Sequence, residues 1–126
     1  MEDVEFSDEF WRFIQAVIPA VDAAEVLILL HGRREAAFTA EEAAAKLGPG
    51  ISIGEVQKHL DRFLDKGVVS VDGRQYRYRP DTPLAPCVDT LARAYLQRPV
   101  TLIRAIYALR DNKIQNFADA FRIRRT

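Results

Sequence analysis

Cysteine is nearly absent from this 126-residue chain; Cys87 stands alone, which excludes an internal disulfide and suits a small packing residue. Histidine is almost as scarce. His31 and His59 are the only two, and neither has a cysteine or second histidine at metal-ligand spacing. His31, near a predicted helix end, suits the negative end of the dipole, and His59, one turn after Glu55, reads as half of a surface pair. No glycine-rich phosphate loop occurs, because Gly48-Pro49-Gly50 lacks the lysine of a Walker-type loop. Long apolar runs are missing too: the longest, Val26 to Leu30, is far too short to span a membrane. The start, Met1-Glu2-Asp3-Val4-Glu5, is acidic, the opposite of a signal peptide's basic start. These absences give the expectation of a cytoplasmic, non-enzymatic protein with no cofactor, no metal and no membrane contact.

What is present is a globular balance, 48% apolar and 29% charged residues, enough for one domain over 1–126 with a real core. The net charge is zero, yet it is unevenly spread. Residues 1–73 carry fourteen acidic and seven basic side chains, and residues 74–126 carry four and eleven, so the halves sit near −7 and +7. That split points to a face-specific partner or head-to-tail contacts rather than a uniformly basic coat.

Helix signals divide the chain into an N-terminal helix over 7–18, a core over 22–79 and C-terminal helices over 87–122. Ser7 reads as an N-cap, with Asp8 and Glu9 favouring the dipole and Phe6 and Trp11 forming a hydrophobic staple. Phe10, Ile14, Val17 and Ile18 recur at helical spacing until Pro19. Asp22 is placed to cap a second helix running to about Gly32, whose Val26, Leu27, Leu29 and Leu30 predict burial on several sides. Beyond Pro80, Pro83 and Pro86, three apolar stripes predict three more helices. They comprise Val88, Leu91, Ala92, Tyr95 and Leu96; then Ile103, Ile106 and Tyr107; then Ile114, Phe117, Ala118 and Phe121. A basic end follows at Arg122, Arg124 and Arg125.

The stretch from Thr39 to Arg79 is the most informative. Phe38-Thr39 suits a short strand. Thr39 with Glu42, and Ser52 with Glu55, both read as capping boxes, opening helices over 40–47 and 52–66. The second helix presents Ile53, Val56, Leu60, Phe63 and Leu64 on one face and ends at Gly67, a C′ glycine. Asp72-Gly73 between two alternating runs predicts a hairpin with Arg74 at its tip. If Tyr76 and Tyr78 point inward, Gln75, Arg77 and Arg79 face out. Helix, turn, helix, hairpin is the order of a winged helix-turn-helix. The expectation is therefore a mainly α fold: that module with a short β-hairpin wing and additional N- and C-terminal helices.

On the 52–66 helix, Lys58, Arg62 and Lys66 line up at four-residue spacing, where phosphates would offset their mutual repulsion. Asp61 and Asp65 follow at three-residue spacing, so the same face also reads as a solvated ion-pair lattice. Gln57 is the best base-edge candidate, because its amide matches adenine's two major-groove groups. The residues expected at DNA are Ser52, Gln57, Lys58, Arg62, Arg74, Arg77 and Arg79.

The segments Thr39-Ala40-Glu41-Glu42-Ala43-Ala44-Ala45-Lys46-Leu47 and Glu55-Val56-Gln57-Lys58-His59-Leu60-Asp61-Arg62-Phe63-Leu64-Asp65-Lys66-Gly67-Val68-Val69 together resemble MarR-like winged-helix transcriptional regulators over about a third of the chain. Asp72-Gly73-Arg74 keeps the family's Asp-x-Arg spacing, although the hairpin is shorter and the recognition helix more acidic. The resemblance implies major-groove contact by Gln57, Lys58 and Arg62 and wing contact by Arg74 and Arg77. It also implies a homodimer through helices around Trp11, Tyr95, Ile106 and Phe117. The partners expected are double-stranded DNA and a second copy. The alternative is a winged-helix adaptor that binds another protein without DNA.

Overall fold

A computed structural model describes residues 6–111. Helix α1 (Asp8–Val17) begins where the Ser7 hydroxyl accepts from the Phe10 N–H, and the staple closes with the Phe6 and Trp11 rings edge-on at 5.7 Å. Its inward stripe is Phe10, Phe13, Ile14 and Val17, so Phe13 joins the expected set. Helix α2 (Val21–Gly32) starts two residues earlier than a cap at Asp22 predicts. Ala20, which offers no side-chain cap, occupies the N-cap position, and the Asp22 carboxylate turns to His59 instead.

Helix α2 is the hub, with Ala23, Ala24, Val26, Leu27 and Leu30 buried. It touches α3, α4, α5, α6 and β3, and that many-sided burial is what the dense apolar run predicts. Strand β1 is Ala37–Phe38, not Phe38-Thr39, because Thr39 leaves the strand to cap the next helix. There the Thr39 hydroxyl accepts from the Glu42 N–H at 3.1 Å while Glu42 accepts from the Thr39 N–H at 2.9 Å. The capping box opens α3 (Ala40–Leu47), whose Ala40, Ala43 and Ala44 are buried.

Helix α4 (Ile53–Asp65) is capped by only half a box. Ser52 accepts from the Glu55 N–H, but the Glu55 carboxylate turns toward Lys58, 3.6 Å away, instead of reaching back. Its exit is a Schellman motif: Gly67 at φ +82° lets its own N–H reach Leu64 O and the Val68 N–H reach Phe63 O. The buried arc is Val56, His59, Leu60 and Phe63. Ile53 and Leu64, expected inside, are 48% and 39% exposed. At 100° per residue Ile53 and Leu64 fall just beyond the Leu60 end of that arc, and His59 forms its opposite end.

Strands β2 (Val69–Asp72) and β3 (Gln75–Tyr78) form the hairpin, and with β1 they make an antiparallel sheet of order β1-β3-β2. Asp72 pairs with Gln75, so the two-residue loop is Gly73-Arg74 rather than Asp72-Gly73. Gly73 supplies the positive φ, +66°, that a primed turn needs at its first position. Tyr76 and Tyr78 are buried and Gln75 and Arg79 exposed, as strand alternation predicts. Arg77 is only half-buried.

After a 3-10 turn (Thr82–Leu84) come α5 (Ala85–Gln97) and α6 (Pro99–Asp111), with Pro99 opening α6 where its missing N–H costs nothing. Cys87 and Ala94 belong to the buried side of α5, whereas Leu96, expected in its stripe, is 80% exposed. Leu102, Ala105, Ile106 and Leu109 bury α6. Ile114, Phe117, Ala118 and Phe121 lie outside the described residues. Among the described residues, no single helix is long and apolar enough to cross a membrane. Helices α1 and α2 together reach that length only across a 103° bend, and their apolar faces are spent on the core.

Candidate functional site

The side of α4 opposite its buried arc faces solvent. Gly54, Lys58, Asp61, Arg62, Asp65 and Lys66 are all exposed, and the hairpin runs along one flank. That flank is a closed polar knot. Gln57 Nε2 donates to Asp61 Oδ1 at 2.9 Å and to Tyr76 Oη at 3.0 Å, and the Tyr76 hydroxyl donates to the same Asp61 oxygen at 3.0 Å. A carboxylate can only accept, so the amide nitrogen must face it, and both amide protons are committed. Gln57 therefore orients β3 against α4, and a two-point grip on adenine would first have to open the knot. Burial pushes the Tyr76 phenol above its ordinary value, with the Asp61 charge acting in the same direction against the Gln57 bond.

The expected arginines divide into tethered and free. Arg74 Nη2 lies 3.1 Å from Glu41 Oε2, tying the hairpin tip to the start of α3. The Glu41 carboxyl is held below its usual value chiefly by its own backbone N–H, against desolvation and with Arg74 and Thr39 assisting. Arg77 Nη1 donates to Glu35 O at 2.9 Å and so anchors the turn ahead of β1. Lys58 has its loose pairing with Glu55, and Ser52 is spent on its cap. Arg62 and Arg79 make no side-chain hydrogen bond or ion pair among the described residues.

The other flank of α4 opens into a cleft of roughly 610 Å³ lined by Asp22, Glu25, Glu55, Lys58, His59, Arg62 and Tyr107, with Pro19, Ala20 and Val21 at the start of α2. His59 is no surface partner of Glu55. Its ring is 8% exposed and Nε2 sits 3.0 Å from Asp22 Oδ1. The pairing joins residues 37 apart in the chain, and on α4 His59 lies one turn from Val56 and from Phe63, at the margin of their face. His31 likewise has a distant partner, Asp89 Oδ1 on α5, 2.9 Å from its Nε2.

Of the residues expected around a dimer contact, Trp11 on α1 is half-buried, and the Tyr95 hydroxyl on α5 donates to Glu25 Oε2 at 2.9 Å. Ile106, another of them, is 1% exposed and belongs to the core of its own chain. Phe117 lies outside the described residues. Comparison with protein-family models, curated proteins and solved structures finds no match to this chain.

Proposed function

We propose that this protein is a DNA-binding transcriptional regulator of winged helix-turn-helix type, related in design to MarR-like regulators and acting as a homodimer through its terminal helices. The element order β1-α3-α4-β2-β3 and the sheet order β1-β3-β2 support the architecture. One observation carries the function: the outer side of α4 is open to solvent beside an arginine-bearing hairpin. Thirteen residues give α4 a length of about 20 Å, enough to lie in a major groove. Arg62 on α4, Lys66 at its C-cap and Arg79 just beyond β3 carry no side-chain hydrogen bond or ion pair among the described residues and can meet phosphate, while Arg74 and Arg77 reach it only by exchanging partners. Asp61 and Asp65 on the same side make affinity depend on those few cations rather than on a basic surface.

Fluorescence anisotropy with duplex DNA over a salt series tests this reading. Affinity should fall steeply as salt rises, and Arg62→Ala and Arg79→Ala should each reduce the logarithmic slope by about one. A slope that neither substitution changes removes both residues from the contact.

A second reading, a winged-helix adaptor that docks on another protein, is favoured by the exposure of Leu96 and Val100 at the α5–α6 corner, 80% and 61%. Absence of DNA binding, together with a partner retained by the natural chain but lost by Leu96→Asp, would select it.

A further inference from the structure

The cleft flank of α4 holds three side chains that DNA contact leaves unused. Asp22 from α2, and Glu55 and His59 from α4, bring one ligand atom each to within 4.8 Å of one another. We propose that they form a binding site for a divalent transition-metal cation of the zinc class, with water from the cleft completing its shell.

The geometry suits an ion with small adjustments, because three ligand atoms from two helices already converge on the cleft. Two ligands held at about 2.0–2.2 Å from one tetrahedral zinc stand roughly 3.4 Å apart, so His59 Nε2 and Asp22 Oδ1, hydrogen-bonded at 3.0 Å, need to part by only a few tenths of an ångström as the ion takes the place of the shared proton. The Glu55 carboxylate has to approach by about an ångström to reach ligand spacing. Its side chain is half exposed and free of a capping bond, so a rotamer change suffices. Packing fixes the His59 ring at the cleft wall, so the least flexible ligand is preorganised. One imidazole with two carboxylates suits zinc and its neighbours; calcium wants an all-oxygen shell, and cuprous ion wants sulfur. The cleft leaves open positions, so the site is of the exchangeable rather than the closed structural kind.

Lys58 sets the affinity. Its ammonium lies 3.6 Å from Glu55 Oε2 and must yield before Glu55 can ligate. A bound cation also ties α2 to α4 from outside the core, independently of any DNA contact.

The experiment uses the full chain freed of any histidine tag, with Zn²⁺ followed by calorimetry and Co²⁺ by its absorption bands. One equivalent should bind. Asp22→Asn and Glu55→Gln should each weaken binding at least tenfold, Lys58→Ala should tighten it several-fold, and His31→Ala should leave it unchanged. Glu55→Gln is decisive, because Glu55 takes no part in the Asp22–His59 pair and an unchanged metal-free melting temperature shows its fold intact. Failure of either cation to bind, or binding indifferent to Glu55→Gln, overturns the proposal. Either result leaves the DNA reading standing, since that reading rests on Arg62 and Arg79.

Discussion

Helix α4 meets its surroundings through two polar flanks that differ in completeness. On the hairpin side, Gln57, Asp61 and Tyr76 use both amide protons and the phenol proton among themselves. On the cleft side, Asp22 and His59 share one contact, Glu55 and Lys58 keep a loose one, and Arg62 has none among the described residues. A closed network spends its bonding capacity on orientation: it fixes the angle between α4 and the strand that carries Arg77 and leads to Arg79. An open one keeps capacity for something else. On the proposed reading, one edge of the helix is structural, the other takes a ligand, and the solvent-facing residues are the ones that would meet DNA.

The largest effect should come from the buried arc that supports both flanks. Leu60 is fully buried, and Leu60→Ala should lower stability by about 2–5 kcal/mol in chemical denaturation. A loss well under 1 kcal/mol would mean that α4 is not seated as described.

A smaller effect should isolate the closed flank. Tyr76→Phe removes the phenol from the knot and should cost about 0.5–1.5 kcal/mol. Cation binding at the cleft should not respond; a shift there would show the flanks to be coupled. The same residue predicts a pH dependence. Burial raises its folded value above 10.0, so the neutral phenol stabilises the fold below that pH, and this contribution is lost as pH rises through the folded value. Melting temperature should therefore fall in alkali, and less steeply in Tyr76→Phe. Burial raises Tyr78 and Tyr95 too, the latter helped by Glu25, so part of the alkaline loss should persist in that variant.

The smallest change belongs to the solvent-facing side. Lys58→Ala removes an exposed cation whose one ion pair among the described residues is the loose one with Glu55, and should alter stability by no more than about 0.5 kcal/mol. A large loss would reveal a structural role for Lys58 and weaken its part as the competitor for Glu55.

Local chemistry was legible in the sequence wherever the deciding atoms are close in the chain. Ser7, Thr39, Gly67 and the glycine of the hairpin act on backbone within a few residues, and each does what its residue type predicts. Errors of one residue arose where two local roles competed: Thr39 could serve strand or cap, and Asp72 strand or turn. Asp22 and Glu55 were misread for a different reason. Both have a capping role available nearby; Asp22 turns to His59, which only the packed fold supplies, and Glu55 turns to Lys58, one turn along its own helix. The same limit hid the Gln57–Tyr76 bond and the Arg74–Glu41 pair, which span 19 and 33 residues. Helical periodicity puts His59 at the margin of the apolar face, as it does the exposed Ile53, and so does not by itself separate the two. No local pattern could have named the partner of His59.

The most direct test of the account is an amide chemical-shift map of the isotope-labelled chain titrated with duplex DNA. The account predicts shifts concentrated on residues 53–66 and 72–79, fading as salt is added, with the α5–α6 corner around Leu96 and Val100 unmoved. Shifts gathered at that corner, or none anywhere at low salt, would contradict it.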